Sequence, residues 1–568
     1  MNKLVKQSLG YFKQNKANVA ILCLLTFLTS FMYYFVECSI DKNLSMLRSK
    51  STLTEGEKDF MVGLQSNTVL ALVFLICLIV ITGFIFYMFY KKKFELTKKN
   101  IGCYRALGFT NFQISKIYMS ITFGIGIIFS FIGFVVGYYF SYVLLNNYLI
   151  TYDIASATRG VSIKSLIFGI IGVPVVMCIC TYLAYRKYKR EEISTLINEQ
   201  SKEMTNSTIN KIAEKVSKLI VSKYSFSSRL ALRKPFNLLL VLISVYVFLV
   251  LMVLSISLNL SSGSILESQK SNREFQYAVS FESNETQQQS VYMEYYQKEK
   301  VEVLYGKMDV GEQELYAIDN DGTLFRLMHG QEQIHLEKDE IAISKRMEEV
   351  FAMKKGDTVS LDFNGNKYNF VVKTVADNGN VRAVYVNRNA WNEIVGNDAA
   401  SYNGGWTSEK DNQWKNASVK SFEEYVKELE NENVSNRASA IINQVLGCVF
   451  GILLIFLVLL LNFQDNTQNF IYLRKMGYLL KEIKIMLVNI YFPILIIAYV
   501  ISLAPSIFTC KKILKILSLG TGDYMPFITH GFVFVYALAV LFISYECVLK
   551  LFDVKLRKML RKIDNGDI

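Results

Sequence analysis

Asn100–Ile114 reads NIGCYRALGFTNFQI, and 369 residues later Asn469–Ile483 reads NFIYLRKMGYLLKEI. Asn100/Asn469, Arg105/Arg474, Gly108/Gly477 and Ile114/Ile483 are identical, and Leu107/Met476 and Phe109/Tyr478 match in kind. Each stretch lies between two long apolar segments. The pattern implies a duplicated membrane unit, each copy carrying a short basic element on the same side of the bilayer. A repeated, charged, glycine-containing element at fixed membrane depth reads as a docking surface rather than a catalytic site. Its candidate residues are Arg105, Ala106, Leu107, Gly108 and Phe109, with Arg474, Lys475, Met476, Gly477 and Tyr478.

Working outward, the 568 residues are 52% hydrophobic and 13% aromatic, too apolar for an ordinary soluble chain. About 20 mostly apolar residues cross a bilayer. Eight segments qualify: Val19–Val36, Thr68–Tyr90, Tyr118–Leu144, Leu166–Tyr185, Phe236–Leu260, Ile441–Phe463, Ile485–Phe508 and Ile528–Leu549. Val19–Val36 lacks a small-residue cleavage site and reads as a retained helix, not a signal peptide. The expected fold is an α-helical integral membrane protein of eight transmembrane helices in two four-helix repeats. One extracytoplasmic α+β domain sits between helices 5 and 6.

Charge orients it. Ser261–Ala438 carries 20 Lys+Arg and 30 Asp+Glu, a net of −10, against +23 for the rest. Lysines and arginines cluster before the first segment and after the second, fourth and eighth. The positive-inside rule puts those ends, and both termini, in the cytosol and Ser261–Ala438 outside. Lys511, Lys512 and Lys515 break the rule: this topology sets them on the outer side, where they snorkel to headgroups or bind anionic lipid. The basic balance therefore points to a membrane surface, not to nucleic acid. The organisation predicted is 1–190, a first repeat with a short outer loop (Glu37–Asn67); 191–234, a cytosolic connector with an amphipathic helix; 235–260, helix 5; 261–438, the outer domain; and 439–568, helices 6–8.

Within the outer domain, Thr358–Phe363, Val371–Val375 and Val381–Val386 read as strands. Asn364-Gly365 is a hairpin signal. Ile341–Phe351 and Lys420–Leu429 read as short helices, and Ser401–Asn416 as a mobile loop. None of the nine cysteines lies there, so it has no disulfides.

The sequence offers no catalytic site. No G-x-x-x-x-G-K-[ST] loop occurs, so ATP hydrolysis by that route is excluded. Three scattered histidines, His329, His335 and His530, support neither a metal centre nor a catalytic triad, and no cofactor is expected. Charges inside the apolar segments are almost absent, which argues against an ion-coupled carrier. Gly133 and Gly137 form a small-xxx-small pair suited to close helix packing.

At Lys98–Gln113, KKNIGCYRALGFTNFQ, the chain resembles the FtsX/MacB/LolC class of ABC-transporter permeases, the mechanotransmission class. There a stretch like R-x-x-E-I-G-x-x-[KR]-A-[LI]-G follows the second helix. Glu340–Leu361, EIAISKRMEEVFAMKKGDTVSL, is similar to the outer domain of that class. Asn100 and Asn469 replace the glutamate of the motif. The chain also resembles the bacitracin-resistance permeases but lacks their two extra helices in the connector. The resemblance implies a non-catalytic permease subunit in a bacterial plasma membrane. Two copies of a cytosolic ABC ATPase subunit would dock on the repeated elements, and their motion would act on a peptide, lipid or protein client outside. The alternative is an envelope-signalling or cell-wall-hydrolase-activating regulator with no transported substrate.

Overall fold

The computed structural model describes residues 16–50, 52, 54–152, 157–197, 235–286, 292–409, 414, 417–430, 449, 452, 467–487, 491–521 and 524–564. Apart from Val449 and Ile452, the predicted sixth apolar segment lies outside these residues, as does the connector helix.

Among the described residues, five helical stretches are long and apolar enough to cross a membrane: Leu22–Ser49, Asn111–Asn146, Ile163–Lys189, Val241–Lys270 and Phe492–Leu519. The predicted second segment lies within the Glu55–Leu96 helix, and the eighth, from its fourth residue on, within Gly531–Asp564, whose apolar part, Gly531–Cys547, is shorter.

The helices Lys16–Ser49 and Glu55–Leu96 correct the expectation of a loop over Glu37–Asn67. Both run on past the apolar segments, the first ending at Ser49 and the second beginning at Glu55. No proline interrupts the stretch. Leu44 and Leu47 on one helix and Phe60 and Leu64 on the other join Leu144 and Tyr148 in a buried cluster. The Thr54 hydroxyl accepts from the Glu57 amide while the Glu57 carboxylate accepts from the Thr54 amide, a capping box that starts the second helix.

Gly133 and Gly137 pack as their spacing predicts. A Cβ on Gly133 would stand 2.8 Å from the Phe27 carbonyl oxygen, and one on Gly137 2.9 Å from Tyr34 Cβ. Their absence lets the Asn111–Tyr152 helix press against Lys16–Ser49. Close by, the Tyr34 hydroxyl donates to the Leu166 carbonyl at 2.7 Å. The adjoining Phe168–Gly172 stretch widens into a π-turn, and Gly169 leaves room for the tyrosine ring.

Eleven strands are described: β1 Tyr277–Glu285, β2 Met293–Tyr305, β3 Met308–Ile318, β4 Met328–His329, β5 Glu332–Gln333, β6 Glu340–Ser344, β7 Thr358–Phe363, β8 Asn366–Ala376, β9 Ala383–Asn387, β10 Tyr402–Thr407 and β11 Ala417–Ser421. Nine make one sheet, ordered β11-β1-β10-β2-β3-β9-β6-β8-β7, and β7 also pairs with β2. That last pairing, Glu302↔Asp362 to Leu304↔Ser360, closes six strands into a ring. Val303, Leu315, Ile341, Leu361, Val384 and Trp391 lie in its core. The Asn364-Gly365 hairpin is as predicted: both residues have positive φ, 53° and 82°, as a type I′ turn requires.

Three readings are corrected here. Ile341–Ser344 is strand β6, and only Lys345–Phe351 is helical. Likewise 417–421 is strand β11, with the helix beginning at 422. Tyr402–Thr407, expected in a mobile loop, is β10, held between β1 and β2. Its glycines are packing devices. A Cβ on Gly404 would collide with the Tyr296 ring, and one on Gly405 with Met293 Sδ. Glycine is needed because large side chains cross the strand there.

Among the described residues the domain meets the membrane helices at two contacts. The 36-residue helix Pro235–Lys270 runs straight into it. The Lys345–Phe351 helix also packs on Tyr491–Thr521, and Tyr524, just beyond, lies beside Glu349.

Candidate docking site

Both quoted stretches fold as helix, tight turn, helix. The first is Lys98–Ala106 followed by Asn111–Tyr152; the second is Thr467–Lys475 followed by Leu480–Leu487. Each leading helix ends in a Schellman motif. The Phe109 amide donates to the Tyr104 carbonyl at 3.1 Å and the Gly108 amide to Arg105 at 3.1 Å. Their counterparts are Tyr478 to Leu473 at 3.1 Å and Gly477 to Arg474 at 3.0 Å. Gly108 and Gly477 supply the left-handed residue at φ +88° and +89°. Tyr104 and Phe109 meet edge-on, 6.4 Å between ring centroids, the apolar contact that accompanies this motif.

The next helix is capped in register. Thr110 and Gln113 form a reciprocal box, at 2.9 and 3.3 Å. In the second stretch Leu479 has no side-chain acceptor, and only the Glu482 half survives, at 2.9 Å to the Leu479 amide. Buried anchors also correspond: Ile101 with Phe470 and Ile114 with Ile483, each at most 1% exposed.

Between anchor and cap the turn projects apolar side chains into the open. Leu107 is 75% exposed and Met476 73%. Ala106, Gly108, Lys475, Gly477 and Tyr478 are also exposed, whereas Phe109 is half-buried and packs on the helix core. Phe112, Leu479 and Tyr472, at 71, 63 and 61% exposed, extend the two apolar tips. Sequence comparison passed over these three because none recurs: Phe112 stands opposite Lys481, Leu479 opposite Thr110, and Tyr472 opposite Cys103. An apolar residue in the first helical turn, off the face set by Ile114, is the signal that could have found Phe112.

The two arginines differ. Arg105 is turned into its own chain, where its guanidinium donates to the carbonyls of Glu191 at 2.5 Å and Tyr188 at 3.4 Å. It so caps the C-terminal end of the Val173–Lys189 helix, whose last carbonyls lack intrahelical donors. Ile193–Ile197 then folds over Gly102, where a Cβ would be 2.9 Å from both Leu196 and Ile197. Lys98 adds a 3.5 Å ion pair to Glu191. Arg474 instead reaches the Tyr478 carbonyl of its own turn, at 3.5 Å. Nearby, Lys93 is buried under the Tyr118 ring, 4.6 Å from its centroid, rather than lying with its neighbours at the surface.

Such an arrangement offers apolar and cationic contact surface. Around these turns are exposed apolar tips, glycines and cations. Among the described residues no three His, Cys, Asp or Glu side chains converge as a metal site.

Helix-spanning composition defines a multi-pass membrane protein, and these turns raise exposed apolar tips on it. Residues 72–193, which contain the first turn, match the family model of the FtsX-like permease C-terminal domain. Over residues 72–193 the chain is thus similar to FtsX-like permeases. The periplasmic region of MacB from Actinobacillus actinomycetemcomitans is similar over 29% of this chain and 96% of that one, at 12% identity and a TM-score of 0.21. No curated protein matches the chain.

Proposed function

We propose that the chain is the permease subunit of an ABC transporter in a bacterial plasma membrane, built as two four-helix repeats with both termini cytosolic. Two copies of an ABC ATPase subunit bind its two turns. The ATPases supply hydrolysis, and their closure tilts the helices leading into each turn. The Pro235–Lys270 helix and the Tyr524–Glu349 contact carry that motion to the α+β domain, which acts on a peptide, lipid or similar envelope client. The observation that carries this reading is the equal geometry of the turns: two Schellman motifs in register, each raising an apolar tip, Leu107 or Met476, on buried anchors.

Docking energy at such a tip comes from burying Leu107 with Phe112, and Met476 with Leu479, in a cleft. Arg105 positions the first turn and is not the contact to the partner. Leu107→Asp with Met476→Asp tests the proposal, since each buries an unpaired charge at the contact. The double variant should reach the membrane folded and lose its ATPase on purification, and each single variant should lose less. Full ATPase occupancy in the double variant would overturn it.

A further inference from the structure

Lys511, Lys512 and Lys515 stand on the Tyr491–Thr521 helix just past 26 residues, 485–510, that carry no charge. About 20 apolar residues cross the hydrocarbon, so the first charge beyond them falls at headgroup depth. The end of the helix they occupy is the one where Lys345–Phe351 of the α+β domain packs, opposite the docking turns. All three lysines are exposed, and none makes an ion pair among the described residues. Two are held against rings: Lys511 lies 5.6 Å from the Phe527 centroid and Lys512 5.6 Å from that of Phe508.

Position along the helix sorts them with lipid-facing neighbours. Phe508, Lys512, Lys515, Ile516 and Leu519 recur at helical spacing on one face, and Phe508, Ile516 and Leu519 are 63, 55 and 49% exposed. Of these, Phe508 lies on the bilayer side of the lysines, and an exposed ring there with ammonium groups above it matches the two parts of a phospholipid, acyl chain below and phosphate above. The corresponding place near the first turn's helix is built differently. There Arg159, from the segment before Ile163, lies 5.4 Å from the centroids of both Tyr138 and Tyr142. In register Tyr142 corresponds to Lys511 and Arg159 to Ile528, next to Phe527. Cation and ring have exchanged elements, and only the second arrangement adds Lys512 and Lys515.

We propose that this face binds an anionic phospholipid of the leaflet nearest the α+β domain, its phosphate among Lys511, Lys512 and Lys515 and its acyl chain along Phe508. The site is independent of ATPase docking. Its test uses the full chain with Phe508→Trp, reconstituted in phosphatidylcholine with a brominated lipid as quencher. The native tryptophans, Trp391, Trp406 and Trp414, all lie in the α+β domain, so the parent chain supplies their background. Brominated phosphatidylglycerol should quench the introduced indole with an affinity on the order of fivefold above brominated phosphatidylcholine, falling towards parity in high salt. Adding K511Q, K512Q and K515Q together should bring the ratio to about one at low salt. Equal quenching by both lipids in the lysine-bearing protein, or an undiminished preference in the triple variant, would overturn the proposal. The salt series on the lysine-bearing protein decides the matter even if the triple variant fails to fold.

Discussion

Gly108 and Gly477 share a left-handed backbone, φ +88° and +89°, across 369 residues of intervening chain. Neither has any atom within 4 Å of where a Cβ would stand. Alanine at either position would therefore be costly through the backbone alone, by about 1 kcal/mol. Exchange of the Phe109 and Tyr478 amides, which close the two Schellman motifs, should speed up roughly fivefold in the matching variant. Asparagine, which tolerates this conformation, should restore most of the protection. Unchanged exchange in the alanine variants would show that the turns do not depend on the glycines.

Arg105→Ala should loosen the chain near Glu191 rather than release the partner. Trypsin should cut after Lys189 or Arg190 faster than in the parent, while ATPase recovery falls less than in Leu107→Asp. Lysine should rescue only part of the protection, because one ammonium cannot reproduce the planar fork that serves both carbonyls.

Gly133→Val and Gly137→Val should each destabilise the helix pair by about 1–3 kcal/mol, since a side chain would meet backbone atoms at close range. Gly124, on the same helix with open space around it, is the internal control, and Gly124→Val should be close to neutral. Thermal unfolding in detergent separates the two outcomes.

Gly404→Ala should disturb the sheet although the residue is small. Its Cβ would enter the Tyr296 ring, which stacks 4.4 Å from Trp406 between centroids. A shifted Trp406 emission at unchanged membrane insertion is expected, with a loss of about 1–3 kcal/mol in domain stability. Emission identical to the parent would show that the ring moves aside without cost.

Acid stability of the domain should depend on Tyr305. Its hydroxyl donates to the Asp357 carboxylate at 2.7 Å, and this bond, with the Lys354 amide, holds the Asp357 pKa below its ordinary value. The stabilisation is complete above the ordinary carboxylate range and is lost as pH falls through the lowered value. Tyr305→Phe should therefore lower stability at neutral pH and converge with the parent in acid. Tryptophan fluorescence reads this out, and a constant difference at every pH would refute it.

Much of the geometry of the candidate site could be read from the chain because its determinants are local. The glycine at the end of each short helix, the apolar residue before it and the anchors Ile114 and Ile483 act within a few turns of one another. What could not be read depends on distant partners. Arg105 meets carbonyls 83 and 86 residues away, and a carbonyl carries no side-chain signature. Strand β10 was hidden for a similar reason. Gly404 and Gly405 look like loop residues until Tyr296 and Met293 are laid across them. The Glu37–Asn67 hairpin was missed because its helices leave the apolar period behind and rely instead on the capping box at Thr54 and a small cluster with Tyr148.

The Pro235–Lys270 helix has no break between the bilayer and the domain it enters. At 36 residues it is about 54 Å long. At its far end the Asn378 amide donates to the Ser271 and Arg326 carbonyls, at 3.2 and 2.7 Å, clamping the exit to the sheet. Under the proposed mechanism, a helix clamped at its exit in this way would pass a twist at its base to β1 and, through β10 and β2, to the closed ring.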